Sequence, residues 1–240
     1  MEIFLERVAY DPSEIQRYTT LKRTLKPLGF LYAGARVLDF GASHGLGICA
    51  LLELGAAEVV GVEPDAERVA AGKEILDAGG FGPRATLLHV RDTRHLPFPD
   101  ASFDMVLVNA VLEHIPQPRG EYIAEVWRLL RPGGHLMVNE TPNKYLPVDV
   151  HTTGLWWVPW LPARLARRYA ILRGRYREHG EWASSGWRGL GYYELIASLR
   201  GRFHLIPERS RPRHRLLSRL RLPASLLDPY PNWVLRKIGG

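Results

Sequence analysis

The chain has 240 residues, 46% of them hydrophobic and 24% charged, a balance that supports a sizeable packed core and excludes a disordered polar polypeptide. It contains no run of about 18 apolar residues to span a bilayer, and its first residues mix acids with apolar side chains, with no small-residue cleavage site of a signal peptide. The formal net charge of +7 is unevenly spread: residues 1–150 hold 15 basic against 20 acidic side chains, whereas residues 151–240 hold 17 against 5.

In chain order, Asp11, Pro12 and Glu14 have the pattern of a helix start, with Asp11 as cap and Pro12 at the first helical position. That helix should stop near Lys26, before Pro27 and Gly29. Residues 36–40 read as a short strand running into a glycine-rich turn, followed by a helix over 48–54. Strands are then expected at 58–63, 85–90, 103–109 and 135–140, with helices at 66–78 and 119–130. Strands alternating with helices at this spacing predict a parallel sheet covered on both faces. After residue 140 the rhythm breaks. An amphipathic helix opens at Leu161-Pro162-Ala163-Arg164 with Leu165, Tyr169, Leu172 and Tyr176 on one face; a helix at 192–200 and strands at 203–207 and 232–238 complete the chain. The single cysteine, Cys49, can form no internal disulfide, which fits a reducing cytoplasm.

In an open α/β sheet, ligands bind outside the carboxyl ends of the strands, so the turn after the first strand is the place to look. Two ligand classes compete there. Gly45-Leu46-Gly47-Ile48-Cys49-Ala50 satisfies the dinucleotide pattern G-x-G-x-x-A, with Glu63 downstream where a ribose-binding acid is expected, which would make the chain a nicotinamide-dependent oxidoreductase. That pattern begins some residues after the strand ends, however. Asp39 also sets a negative charge beside the loop, unfavourable for a pyrophosphate and favourable for a cation.

Longer stretches add a resemblance. Val37-Leu38-Asp39-Phe40-Gly41-Ala42-Ser43-His44-Gly45 resembles the first motif of class I S-adenosylmethionine-dependent methyltransferases, and Val60-Gly61-Val62-Glu63-Pro64-Asp65 is similar to the second. Arg91-Asp92-Thr93-Arg94-His95-Leu96-Pro97 is similar to the third, and Val111-Leu112-Glu113-His114-Ile115 and Leu129-Leu130-Arg131-Pro132-Gly133-Gly134 continue the series in order. One departure is visible: Ser43 stands where the family usually has its middle glycine. The resemblance implies S-adenosylmethionine as cofactor, with Asp39, Gly41, Ala42, Ser43 and Gly45 around its methionine end. Glu63 would accept from the ribose hydroxyls, Asp92 from the adenine amino group with Thr93 beside it, and Asn109 would line the methyl-transfer site. The implied fold is an α/β doubly wound, seven-stranded, mostly parallel sheet of the Rossmann-like methyltransferase type, its last strand inserted antiparallel. A single domain over residues 1–240 is expected, with a core at 30–140 and 190–240 and an inserted helical cap at 141–189.

Similarity of the segment after the fifth strand to methyltransferases of small molecules and cell-envelope saccharides implies O-methylation of a sugar or lipid-linked metabolite. A base is needed only where the acceptor must lose a proton, and His151 and His114 are the candidates because imidazole titrates near neutral pH. No spacing of histidines and carboxylates suggests a metal site. Trp156, Trp157 and Trp160 suit a pocket wall or a membrane interface. Arg209, Arg211, Arg213, Arg215, Arg219 and Arg221 suit phosphate, lipid head groups or RNA; without a nucleic-acid module signature, an anionic membrane surface is the expected partner ahead of nucleic acid. A cofactor-binding protein without catalysis, docked on membrane or RNA through this basic region, is the reading from another class.

Overall fold

The strand Glu58–Glu63 shows how the sheet is built: its interior, Val59 to Val62, is apolar or glycine and fully buried, the pattern of a strand covered on both faces. The computed structural model describes residues 12–177, 181–206 and 228–239; the expected Asp11 cap, Pro207 and the six arginines from Arg209 to Arg221 lie outside them. The elements are α1 (Pro12–Leu25), β1 (Arg36–Phe40), α2 (Leu46–Glu53), β2 (Glu58–Glu63), α3 (Ala66–Ala78), β3 (Ala85–His89) and β4 (Phe103–Asn109). They continue as α4 (Gly120–Leu129), β5 (Leu130–Asn139), α5 (Ala163–Leu172), α6 (Tyr192–Ala197), β6 (Phe203–Ile206) and β7 (Trp233–Lys237).

The seven strands lie in the order β3-β2-β1-β4-β5-β7-β6. β1, β2 and β3 pair in parallel, with Asp39 beside Gly61 and Glu63 beside His89, so the acids at the strand tips emerge on one edge. The last strand, β7, is antiparallel to β6 and lies between β5 and β6, as the family resemblance implies. The chain divides into two compact units: one extends to Leu107 and adds Arg128–His135, the other takes Val108–Trp127 and the chain from Leu136 onward.

In the first unit, α2 is almost wholly buried, and Cys49 in its middle is fully enclosed. α3 is capped by Asp65, whose Oδ1 accepts from the backbone N–H groups of Glu67 at 2.9 Å and Arg68 at 3.2 Å, a cap typically worth about 1 kcal/mol. In the second unit, Val158, Ala166, Ala170, Trp182 and Trp187 form a core of their own, with Trp182 and Trp187 stacked at 5.0 Å. No helix among the described residues is long and apolar enough to cross a membrane.

Two expectations are corrected. β5 begins at Leu130, so Arg131-Pro132-Gly133-Gly134 is strand and not the end of a helix; at Gly134 a Cβ would come within 2.6 Å of the Asp104 carbonyl oxygen, and only glycine lets the chain approach so closely. In α5, Leu165 and Leu172 face solvent while Ala166 and Ala170 are buried. The flat alanine face admits the indoles of Trp182 and Trp187, which supply the bulk expected of the leucines.

Candidate active site

The turn after β1 is organised from below by carboxylates. Gly41 and Ala42 both donate their N–H to the Val62 carbonyl at 3.0 Å, joining the loop to the end of β2. Glu63 then reaches up: its Oε2 accepts the Ser43 N–H at 2.9 Å and its Oε1 the Asp65 N–H at 3.1 Å. An ionised carboxylate offers about four acceptor sites, so Glu63 holds the loop and keeps capacity for a diol. Gly45, at φ 78°, caps α2 in the left-handed region. Ser43 is also left-handed, at φ 48°, which costs a non-glycine residue about 1 kcal/mol.

Asp39 is the decisive side chain. It is buried, and a Cβ on Gly47 would come within 2.3 Å of its Oδ2, so the first turn of α2 lies directly on this carboxylate. Burial first, and the charge of Glu63 second, push its pKa up to about 7. The glycine that made the G-x-G-x-x-A pattern therefore makes room for an acid inside the protein. Two buried acids under one loop disfavour a pyrophosphate and favour a cation.

Of the remaining cofactor candidates, Thr93 is buried and Asp92 is half exposed. Arg94 engages Asp92 through Nε at 2.9 Å, a second guanidinium nitrogen at 2.8 Å and its backbone N–H at 3.0 Å. These bonds pull the carboxyl down to about 2, and adenine would have to share it with Arg94.

In the second unit, Asn109 at the end of β4 accepts from the Asn139 side chain at 2.5 Å and donates to Glu140 at 3.3 Å, so its amide is fixed in one orientation. Nearby in sequence, Glu113 is fully buried. Its Oε2 accepts from Thr141 at 3.0 Å, and its Oε1 has no hydrogen-bond partner; desolvation raises its pKa. His114 and His151 stand with ring centroids 5.2 Å apart. The backbone around His151 is pinned by buried Asp149, which accepts from the N–H groups of His151, Thr152 and Thr153 at 3.0, 2.9 and 2.8 Å. The Tyr230 hydroxyl donates to the Val150 carbonyl at 3.1 Å.

The fold thus brings His151 and His114 together, as sequence reading could not, and adds Glu113, Thr141, Asp149 and Tyr230. Glu113 had a signal, its place beside His114 in the fourth motif. Tyr230 lies 80 residues from Val150 in sequence and had none.

Comparison with known proteins gives a family-model match, curated relatives and solved structures of the same fold. Residues 38–138 match the family model described as a methyltransferase domain. The chain is 31% identical over 144 residues to a ubiquinone biosynthesis O-methyltransferase of Bradyrhizobium sp. (strain ORS 278), covering 59% of this chain and 53% of that protein. It is 31% identical over 139 residues to a ubiquinone/menaquinone biosynthesis C-methyltransferase of Ralstonia pickettii, covering 52% and 54%. The chain therefore spans about half the length of these relatives. The crystal structure of an S-adenosylmethionine-dependent methyltransferase from Mesorhizobium loti shares the fold, with TM-score 0.56 and 19% identity over 90% of this chain and 98% of that one. Over residues 38–138 the chain is thus similar to methyltransferase domains, and its fold is that of S-adenosylmethionine-dependent methyltransferases.

Proposed function

We propose that this protein transfers the methyl group of S-adenosylmethionine to an oxygen of a small-molecule, saccharide or lipid-linked acceptor. The observation that carries the reading is buried Asp39 beneath the loop of residues 39–47, with Glu63 at the next strand tip. Bound there, the cofactor supplies an electrophilic methyl group on a leaving sulfur. In this assignment Asp39 attracts the cationic methionine end, Gly41, Ala42, Ser43 and Gly45 shape the space around it, and Glu63 accepts from the ribose hydroxyls. Asp92 and Thr93 meet the adenine, and Asn109 lines the transfer site. The chain's main task is to hold donor and acceptor in line, since effective molarities of about 10⁵–10⁸ M are available from positioning alone. Removal of the acceptor's proton is assigned to the cluster containing His151 and His114.

Titration calorimetry with S-adenosylhomocysteine and with NAD tests the assignment. One equivalent of the sulfur nucleoside should bind, tenfold or more weakly in Glu63→Ala; preference for NAD would replace the methyltransferase reading with the oxidoreductase.

A lipid-linked acceptor is supported by the relatives named for quinone biosynthesis and by Trp156, Trp157 and Trp160, each more than half exposed. Indoles so presented, beside a helix bearing Arg164, Arg167 and Arg168, suit an anionic bilayer surface. Cosedimentation with phosphatidylglycerol vesicles should show binding that weakens with salt and with the triple Trp→Ser change. No binding at low salt removes peripheral membrane contact from the reading.

A further inference from the structure

We propose that Glu113, His114 and His151 together bind one divalent cation of the zinc type. The inference rests on the proposed reading of this cluster as the group that deals with the acceptor's proton, and it names how the cluster acts. Each of the three side chains offers one ligand atom, and these atoms lie within 4.8 Å of one another. Two imidazoles and a carboxylate are a ligand set that zinc accepts at about 2.0–2.2 Å per bond, so the atoms need to close by roughly 1 Å to surround the ion.

Three features mark the cluster as built for this. First, Glu113 Oε1 is buried without a hydrogen-bond partner and points to within 3.9 Å of His114 Nε2. A buried carboxylate oxygen left bare is costly, and a cation removes that cost. Second, both inner residues are held by outer partners as metal ligands usually are. The His114 Nδ1 stands 2.8 Å from the Ser184 carbonyl oxygen, which can only accept, so Nδ1 carries a hydrogen and Nε2 is the nitrogen turned toward Glu113. The other oxygen of Glu113 is fixed by Thr141 at 3.0 Å. Third, the ring of His151 packs directly on Gly186, where a Cβ would come within 2.5 Å of His151 Cδ2 and 2.9 Å of its Nε2. The Asp149 turn fixes the backbone of the same histidine.

Three protein ligands leave a position open, the arrangement of zinc sites that act on a substrate. An oxygen of the acceptor would fit that position, where a bound cation would stabilise the alkoxide, the hydroxyl's proton passing to water before the oxygen takes the methyl group. The two imidazoles then serve as ligands.

Chelator-treated full-length protein is titrated with Co²⁺, read by the visible d–d absorption of low-coordinate cobalt, and with Zn²⁺ in competition with a chromophoric chelator. One equivalent should bind, and His151→Ala and Glu113→Gln should each weaken binding tenfold or more. Because Glu113 is buried, thermal melting accompanies its variant, and the exposed His151 carries the test if that variant fails to fold. No binding of either ion at micromolar concentration overturns the proposal, as does equal affinity in wild type and His151→Ala. S-adenosylhomocysteine titrated into the same samples separates the two readings: nucleoside binding without metal binding sinks the cation site alone.

Discussion

Asp39 links stability to pH through a single proton, and the proposed cofactor role would add ligand affinity to that link. Its carboxyl titrates at about 7 in the fold because it is buried and because Glu63 is near, against about 3.9 in an unfolded chain. The folded protein therefore keeps a proton that the unfolded chain releases, and stability falls as pH rises from about 4 to about 7. Asp39→Asn abolishes this drift. At pH 8 without cofactor the variant should be more stable than wild type by about 2–4 kcal/mol, since each pKa unit is worth about 1.4 kcal/mol, and at pH 4 the two should converge; denaturant melts at the two pH values check this. Calorimetry should show the reverse for ligand, with S-adenosylmethionine affinity reduced tenfold or more in the variant. In wild type that affinity should weaken below pH 7, as Asp39 takes up its proton.

At the scale of elements, the second unit depends on an arginine that no motif marks. The Arg119 side chain is buried, donating to the carbonyl oxygens of Ile115 at 2.8 Å, Gly189 at 2.5 Å and Glu113 at 3.4 Å, and pairing with Glu194 at 3.4 Å. Lys144 engages the other Glu194 oxygen at 2.5 Å. One guanidinium thus ties α4 to the 113–115 turn, to residue 189 and to α6. Arg119→Ala leaves those buried acceptors bare, and urea denaturation should show a loss of about 3–5 kcal/mol. The alternating elements up to residue 140 were legible because apolar periodicity and glycine or proline breaks coincide there. The face of α5 was not, because side-chain volume suggested Leu165 and Leu172, whereas the stacked indoles of Trp182 and Trp187, distant in sequence, need the small Ala166 and Ala170.

For the whole molecule, legibility follows sequence distance. The loop of residues 39–47 and Glu63 lie close together in sequence, so the turn and the acid that holds its Ser43 N–H could be anticipated as neighbours from the chain alone. The cluster around His151 draws on Glu113, Thr141, Ser184, Gly186 and Tyr230, which become neighbours only through tertiary folding, and no spacing rule joins them. The position of Asp92 was legible, but its engagement by Arg94 was not, since an acid two residues before a base is common on solvated turns.

Cys49, enclosed in the middle of α2, has its thiol pushed up to about 12 by burial, with Glu53 and Asp39 adding to the effect. A thiol that neither ionises nor meets solvent is inert to maleimide and to peroxide while α2 stays in place. Its labelling rate consequently measures how often the ground beneath the glycine loop comes apart. If the proposed cofactor site is right, S-adenosylhomocysteine should slow that labelling as it occupies the site, which turns one unreactive sulfur into a gauge of breathing beneath the loop of residues 39–47.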